Sequence, residues 1–196
     1  GIIMKLKKIV TLISSAILAF SLVGCSIEGE ESSAGSDGAV VGNGSIGFSV
    51  STLNNPFFVT LSQGAKDKAK EEGRDLIVVD AGDDAAKQTS DIEDLISKNI
   101  SILIVNPVDS DAVAPAVKDA IAKGIKVISL DRAVNGVDVD CSIASDNVEG
   151  AKMATEYLVS LVGKDAKVVE LEGTSGSSAT IDRGTGFHKV ADEQLN

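Results

Sequence analysis

The sequence predicts an α/β fold, a doubly wound parallel sheet, and three observations support this prediction. Short, uninterrupted runs of Val, Ile and Leu alternate with helix-length segments along the chain from residue 46 onward. Asparagine, aspartate or proline stands where the helices are expected to begin, and glycine where several of them are expected to end. Continuous apolar strands joined by helices are typical of a parallel sheet that is covered on both faces.

The first helices are bounded by residues with known end preferences. Asn55 and Pro56 are expected to be the N-cap and the first residue of the helix after the first strand, and Gly73 is expected to end it. Asp83 or Asp84 is expected to cap the second helix. The predicted strands cover residues 46–50, 76–79, 102–105, 127–130, 141–144 and 167–171, and the last two helices residues 149–162 and 179–195.

Two side chains carry specific structural expectations. The third helix is expected to begin at Asp109 or Ser110 and to end at Gly124. Pro115 would then lie inside it and bend it, because proline lacks the backbone N–H of one helical hydrogen bond. Cys141, in the fifth strand, is predicted to be a small buried apolar side chain.

The N-terminal residues predict export and lipid attachment. Residues 1–24 contain three lysines followed by an uncharged, mostly apolar run of about 15 residues, as in a signal peptide. The run ends in Leu-Val-Gly-Cys, which resembles the lipobox of bacterial lipoproteins, and this resemblance implies acylation of Cys25 and attachment to the outer face of a membrane. An ordinary secretory signal followed by a chance cysteine is the alternative. Residues 25–45, rich in Glu, Ser, Gly and Asp, are expected to form a flexible tether.

Composition and charge argue against several classes of function. The net charge is −11, and without residues 1–24 there remain 15 basic and 29 acidic residues. Because such a surface repels phosphate backbones, no nucleic-acid partner is expected. A single histidine, His188, and two cysteines cannot assemble a Cys/His zinc site, and no nucleophile-elbow pattern is present. We therefore expect no metal, no cofactor and no catalysis by these routes.

Polar segments follow the predicted strands at the edge where ligands of doubly wound sheets bind. In order along the chain, they resemble the motifs of bacterial ribose-binding proteins, which are periplasmic-binding-protein-like receptors. The resemblance spans about residues 45–192. The motifs are STLNNPFF (51–58), NPVDSDAV (106–113), LDR (130–132), IASDN (143–147) and DRGTGF (182–187).

The resemblance implies a two-lobed clamp that closes on one monosaccharide, with D-ribose expected, and delivers it to the transmembrane permease of an ABC importer. It implies a first lobe at residues 46–145 and the start of a second at residues 146–196. The implied cleft-lining or hinge residues are Asn106, Ser145 and Asn147, and the implied sugar-binding residues are Asn55, Phe57, Phe58, Asp131, Arg132 and Arg183. Because most of the second lobe has no counterpart here, we expect a C-terminally truncated receptor that binds sugar poorly.

The chemistry of a sugar fits these residue types. A monosaccharide has hydroxyls around its rim and apolar C–H groups on its ring faces, so its site needs both aromatic surfaces and fixed polar groups. The two acceptor oxygens of Asp131 and the planar donor fork of Arg132 suit adjacent hydroxyls, and their charge strengthens each hydrogen bond.

Other interpretations remain open at this stage. Phe57 and Phe58 could be core residues, although neighbours on a helix point about 100° apart, and the Asp131–Arg132 pair could be a surface ion pair. A receptor for another monosaccharide or a furanose-like signal is the closest rival function. The effector core of a sugar-responsive transcriptional regulator would need a basic helix-turn-helix at its start. A nucleotide-dependent enzyme would need a phosphate loop after the first strand, and a sensory ectodomain is a further rival.

Overall fold

The computed structural model describes residues 44–195, and in this part of the chain five strands form one sheet. They are β1 (Ile46–Val50), β2 (Leu76–Asp80), β3 (Ile102–Val105), β4 (Lys126–Leu130) and β5 (Cys141–Ile143). All neighbours pair in parallel, and the order across the sheet is β2-β1-β3-β4-β5. The predicted signal peptide, Cys25 and nearly all of the predicted tether lie outside the described residues.

Five helices accompany the strands in the described residues. They are α1 (Pro56–Glu71), α2 (Ala85–Ser97), α3 (Ala114–Ala122), α4 (Asn147–Val162) and α5 (Ser178–Gln194). The order of the chain is therefore a strict alternation of strand and helix up to β4, as the sequence predicts. Because the strands are parallel, their carboxyl ends meet at one edge of the sheet, and the loops after β1, β3 and β4 lie together there.

Helices cover both faces of the sheet, which confirms the doubly wound prediction. On one face α2 and α3 pack against β3 and β4 through a core that includes Leu95, Leu103 and Val117. On the other face α1 packs through Phe58 against Phe48 and Val50 of β1. Adjacent strand residues point to opposite faces, so both cores are built from the same continuous apolar runs.

The α1 face is only partly covered within the described residues. An apolar cavity of about 700 Å³ runs beside α1, between Leu61 and the β3–β5 side of the sheet. Ile143 at the end of β5 is 59% exposed on this side. A parallel sheet is normally covered on both faces, and within residues 44–195 this part of the α1 face is open.

The helix ends agree with the sequence analysis. The Asn55 side chain accepts a hydrogen bond from the Phe57 N–H at 3.0 Å, and Pro56 occupies the first turn of α1. Gly73 follows the end of α1 with φ +63°, the left-handed conformation that glycine adopts at low cost. Of the two candidate caps for α2, Asp84 is the one used, because its carboxylate accepts from the Lys87 N–H at 2.9 Å.

Two expectations about side chains are wrong. Pro115 does not bend α3, because the helix begins at Ala114 and the proline lies in its first turn, where a missing N–H breaks no hydrogen bond. The Asp109 carboxylate instead caps a tight turn ahead of the helix, accepting from the Asp111 N–H at 2.9 Å. Cys141 is exposed rather than buried, because β5 is the edge strand and nothing in the described residues covers it.

The predicted strand at residues 167–171 is also wrong. The segment belongs to no strand and pairs with none of the described strands. Val169 and Leu171 are 88% and 93% exposed. A strand needs a neighbour to satisfy its backbone groups, and none of the described strands pairs with this segment. The helices on either side of it, α4 and α5, pack closely on each other.

Candidate functional site

A cleft of about 870 Å³ lies at the carboxyl ends of β1 and β4, opposite α4 and α5. All of the residues that the resemblance implies for sugar binding line it, namely Asn55, Phe57, Phe58, Asp131, Arg132 and Arg183. Ser145 and Asn147 line it as well, whereas Asn106 does not. The structure therefore brings together residues that lie as far apart in the chain as 55 and 183.

The two phenylalanines at the start of α1 occupy different environments. Phe58 is 3% exposed and belongs to the core, whereas Phe57 is 55% exposed. Their rings meet edge to face with centroids 5.3 Å apart. Both rings border the cleft, so together they form an apolar wall on which a ligand with C–H faces can pack.

Arg132 is the most constrained polar side chain of the cleft. It is 8% exposed, its Nη1 donates to the Pro107 carbonyl at 2.9 Å, and its Cζ lies 5.0 Å from the centroid of the Phe58 ring. Its Nε is buried and has no hydrogen-bond partner among the described residues. Burial lowers the pKa of Arg132, and Arg183 adds to this, while the charges of Asp131 and Asp83 oppose it. A buried donor without a partner carries a desolvation cost that a bound oxygen would relieve.

Asp131 is held beside Arg132 by an unusual backbone conformation. Its φ is +65°, in the left-handed region that non-glycine residues seldom adopt, and its N–H donates to the Ile143 carbonyl at 2.7 Å. Its carboxylate accepts no hydrogen bond from any described residue, although its charge acts on Arg132. Such local strain is often found where a side chain has to point into a site.

The opposite wall of the cleft contributes Arg183 of α5 and Asn147 of α4. The Arg183 Nε donates to the Asn147 Oδ1 at 2.9 Å, and the Asn147 Nδ2 donates to the Ser145 carbonyl at 3.2 Å. Asn147 is buried, whereas Arg183 is exposed. This hydrogen bond directs the arginine from α5 toward α4 and leaves the terminal guanidinium nitrogens without a hydrogen bond to any described residue.

The side-chain oxygen of Asn55 accepts a hydrogen bond within the chain, whereas its NH₂ group makes none to the described residues. Its Oδ1 accepts the helix-capping hydrogen bond from Phe57, so its NH₂ group is the part available to a ligand. The N-cap role and the predicted sugar-binding role are therefore compatible.

Asn106 lies beneath the cleft, fully buried, rather than on its surface. Its Oδ1 accepts from the Ser51 N–H at 3.2 Å and from the Ser51 hydroxyl at 2.6 Å, and its Nδ2 donates to the Leu130 carbonyl at 3.0 Å. One amide thus ties the ends of β1, β3 and β4 together. Gln88 of α2 adds to this network, because its Nε2 donates to the Asn106 carbonyl at 2.9 Å.

Several further residues line the cleft that the sequence analysis did not single out. They include Thr174, Ser177, Thr180, Phe187 and the acidic residues Glu170 and Glu172. Phe187 had a usable signal, because residues four apart on a helix share a face and Arg183 precedes it by that spacing. The glutamates had none, since Glu170 lies in the segment predicted as a strand and Glu172 directly after it.

The polar groups of the cleft are of kinds that hydrogen-bond a small ligand. Among residues 44–195, no group of three His, Cys, Asp or Glu side chains is arranged to hold a metal ion. Within the same stretch, no helix is both long enough and apolar enough to cross a membrane. Carboxylate, guanidinium and amide groups beside an aromatic wall fit a small ligand that carries hydroxyls on an apolar ring.

A parallel α/β sheet with a cleft at its strand ends is the arrangement in which proteins of the doubly wound class bind small ligands. A family model described as a periplasmic binding protein domain matches residues 46–196. The chain therefore belongs to the periplasmic binding protein family, as its motifs predict.

Named relatives and a solved structure agree with this assignment. The chain is 46% identical over 190 residues to the ribose import binding protein RbsB of Bacillus subtilis and 41% identical over 194 residues to that of Escherichia coli. These matches cover 97% and 98% of this chain and 62% and 61% of the relatives. The Caulobacter myo-inositol binding protein, solved with myo-inositol bound, matches with a TM-score of 0.70 and 32% identity, over 75% of this chain and 50% of its own. The chain spans about three fifths of the length of the two curated relatives.

Proposed function

We propose that the protein is the sugar-binding component of an ABC importer, that its ligand is D-ribose, and that it catalyses no reaction. The first support is that the Bacillus subtilis and Escherichia coli relatives are named for ribose import, and the second is that each is similar to nearly the whole of this chain. The third is the cleft, whose side chains fit a polyhydroxylated ring.

The observation that carries the proposal is the adjacent pair at the end of β4. Arg132 buries an Nε–H that has no partner among the described residues, and Asp131 beside it offers a carboxylate that accepts no hydrogen bond from them. Two neighbouring hydroxyls, one accepting and one donating, would satisfy both groups at once. Stereoisomers that place a hydroxyl elsewhere would leave one of these groups unpaired, which is a source of discrimination between sugars.

Binding would close a two-lobed clamp. In this proposal residues 46–145 form the first lobe and residues 146–196 begin the second, with Arg132 and Arg183 on opposite walls of the cleft. A sugar that contacts both walls favours the arrangement in which they are close, because a ligand shifts a conformational equilibrium only through its differential affinity.

The proposal includes export and lipid attachment at Cys25, which lies outside the described residues. Support comes from the sequence alone, in the lysines, the apolar run and the lipobox-like end of residues 1–25. Expression in a bacterium fed an alkyne-labelled fatty acid should label the wild type, and Cys25→Ser should abolish the label. Equal labelling of both forms would contradict attachment at this residue.

Ligand choice is best tested in a protein of the relatives' length. We suggest a chimera in which the part of the Bacillus subtilis relative that follows the matched region is joined to residue 196. Isothermal titration against D-ribose, D-apiose and myo-inositol should give the tightest binding for D-ribose. A chimera that folds and binds none of them would refute the sugar proposal, and preference for another sugar of the panel would replace ribose as the ligand.

The 196-residue chain itself is expected to bind weakly. At a hundredfold excess over a dissociation constant, a ligand stabilises its receptor by about 2.7 kcal/mol. With millimolar D-ribose we expect little or no shift of the melting temperature. A shift of several degrees would show that the groups within this chain suffice for binding.

A further inference from the structure

One polar side chain of α2 lies in the core rather than on the surface of the helix. Gln88 is 1% exposed and shares the buried face of α2 with Ile92, Leu95 and Ile96. A buried amide is unfavourable unless its polar atoms are hydrogen-bonded, and an apolar residue here would avoid that cost. All of the hydrogen bonds that this side chain makes to described residues go to β1 or to the loop after β3.

The Gln88 amide holds the loop after β3 on both sides of Pro107. Its Oε1 accepts from the Val108 N–H at 2.7 Å, and its Nε2 donates to the Asn106 carbonyl at 2.9 Å. The second hydrogen of Nε2 is donated to the Ser49 hydroxyl at 3.1 Å. Both donors and the acceptor of the amide are therefore used, and the loop is fixed at residues 106 and 108.

The peptide group between Pro107 and Val108 connects Gln88 to Arg132. This group is planar, and its N–H and C=O point in opposite directions because the peptide bond is trans. Its N–H donates to Gln88, whereas its carbonyl accepts from the Arg132 Nη1 at 2.9 Å. The two side chains therefore hold opposite sides of one rigid group, and Gln88 sets the direction in which the carbonyl meets the guanidinium.

This carbonyl is decisive for the orientation of Arg132. It is the one acceptor that the guanidinium has among the described residues. The other contact is with the face of the Phe58 ring, whose centroid lies 5.0 Å from the Arg132 Cζ, and a stacked guanidinium can still turn in its own plane. Because the donors of a guanidinium form a fixed fork, the position of Nη1 also sets the direction of the Nε–H.

We propose that Gln88 is a positioning residue for the ligand site: through the Pro107–Val108 peptide group it fixes the orientation of Arg132. Gln88 does not line the cleft, so it acts on a ligand only through other residues. The inference rests on the proposed function for the ligand, whereas the orientation of Arg132 can be measured without one. A donor whose orientation the protein fixes loses less freedom on binding than a mobile donor, which favours affinity.

The NMR signal of the Arg132 Nε–H, recorded with no sugar added, tests the orientation. Arg132→Met identifies the signal by removing it. Gln88→Met keeps an unbranched side chain but removes all three hydrogen bonds, so it should move the signal and speed its exchange with water at least about tenfold. The matched control is Ser49→Ala, which removes one hydrogen bond of the same amide, leaves the two to the loop, and should leave the signal in place.

Stability has to be measured beside the signal, because both variants lose a buried hydrogen bond. Urea unfolding should show a lower free energy of unfolding for Gln88→Met and for Ser49→Ala. If Gln88→Met is less stable but leaves the Arg132 signal unchanged, Gln88 has a structural role alone and the proposal fails. Exchange of the wild-type Nε–H as fast as in an unfolded peptide would also overturn it.

A second variant covers the case in which Gln88→Met does not fold. Gln88→Asn keeps an amide but is one methylene shorter, so it cannot reach both the Asn106 carbonyl and the Val108 N–H as the longer side chain does. It should move the Arg132 signal in the same way. An unchanged signal in this variant would equally contradict the proposal.

Titration of the chimera with D-ribose separates this inference from the proposed function. Gln88→Met should weaken binding about tenfold and Ser49→Ala by less than about threefold. A displaced Arg132 signal in Gln88→Met, together with no binding by the wild-type chimera, would support the positioning role and refute the ligand. Binding by the wild-type chimera that Gln88→Met leaves unchanged would support the ligand and refute the positioning role.

Discussion

Replacing Arg132 by methionine tests whether this side chain is needed for the stability of the ligand-free chain. The substitution removes the hydrogen bond to the Pro107 carbonyl, worth about 1.5–3 kcal/mol for a charged donor, and the stacking on Phe58, worth about 0.5–2 kcal/mol. It also removes a buried ion whose desolvation, including that of the Nε–H without a partner among the described residues, costs several kcal/mol. Since these contributions oppose each other, we expect the free energy of unfolding of the ligand-free chain to change by no more than about 1 kcal/mol.

Urea unfolding of the chain measures this change, and Arg74 provides a matched control. Its Nη2 donates to the Gly44 carbonyl at 3.0 Å and to the Ser101 hydroxyl at 3.1 Å, at the other end of the sheet from the cleft. Its guanidinium has no orphaned buried nitrogen, so Arg74→Met should lose about 1–2 kcal/mol. If Arg132→Met instead loses more than about 3 kcal/mol, Arg132 is a structural residue, and the argument that its free donor awaits a ligand fails.

Two other predictions concern stability and pH. Leu95→Ala, at a fully buried core position, should lower the free energy of unfolding by about 2–5 kcal/mol in urea unfolding. The control, Leu161→Ala at an exposed position of α4, should change it by less than about 0.5 kcal/mol. Equal losses in the two variants would contradict the assignment of Leu95 to the core. The pKa of His188 is raised, first by its hydrogen bond to Asp192 and then by Glu170. The stability that these two contacts give the folded chain is therefore present below the unfolded-state pKa of histidine and is lost as the pH rises through the folded-state pKa. An NMR titration should therefore give His188 a pKa above that of an unfolded histidine and Asp192→Asn should lower it, whereas an unchanged value would show that the contact does not form in solution.

Most of the fold was predictable because local signals agreed with the global arrangement. β1 to β4 are short, mostly apolar runs, and Asn55, Pro56 and Gly73 mark the ends of α1 by the backbone preferences of those residue types. The strand predicted at residues 167–171 shows where this reasoning stops. An apolar run predicts a strand only if another strand lies beside it, and that information is not local.

The sequence and the family resemblance identified residues that the structure brings together in one cleft, but not the contact that each of them makes. The edge rule for parallel sheets places the Asp131–Arg132 pair beside other strand-end segments, and only the family resemblance implies that the pair binds sugar. Nothing in the sequence shows that Phe58 belongs to the core and to the cleft wall at once, or that Asn106 is a buried tie between strand ends. The hydrogen bond from the Ser178 N–H at the start of α5 to the Ser110 hydroxyl after β3, at 3.0 Å, could not be predicted either, because the two residues lie 68 positions apart in the chain.

The direct test of the ligand assignment is titration of the chimera with D-ribose, before and after changing both Asp131 and Arg132 to alanine. Removing one partner of a buried, hydrogen-bonded charged contact costs roughly 2–5 kcal/mol, so we expect binding to weaken at least about thirtyfold. The double variant should keep the far-UV circular dichroism of the parent. If it captured D-ribose within a factor of three of the parent's affinity, the cleft at the end of β4 would not be where the sugar binds.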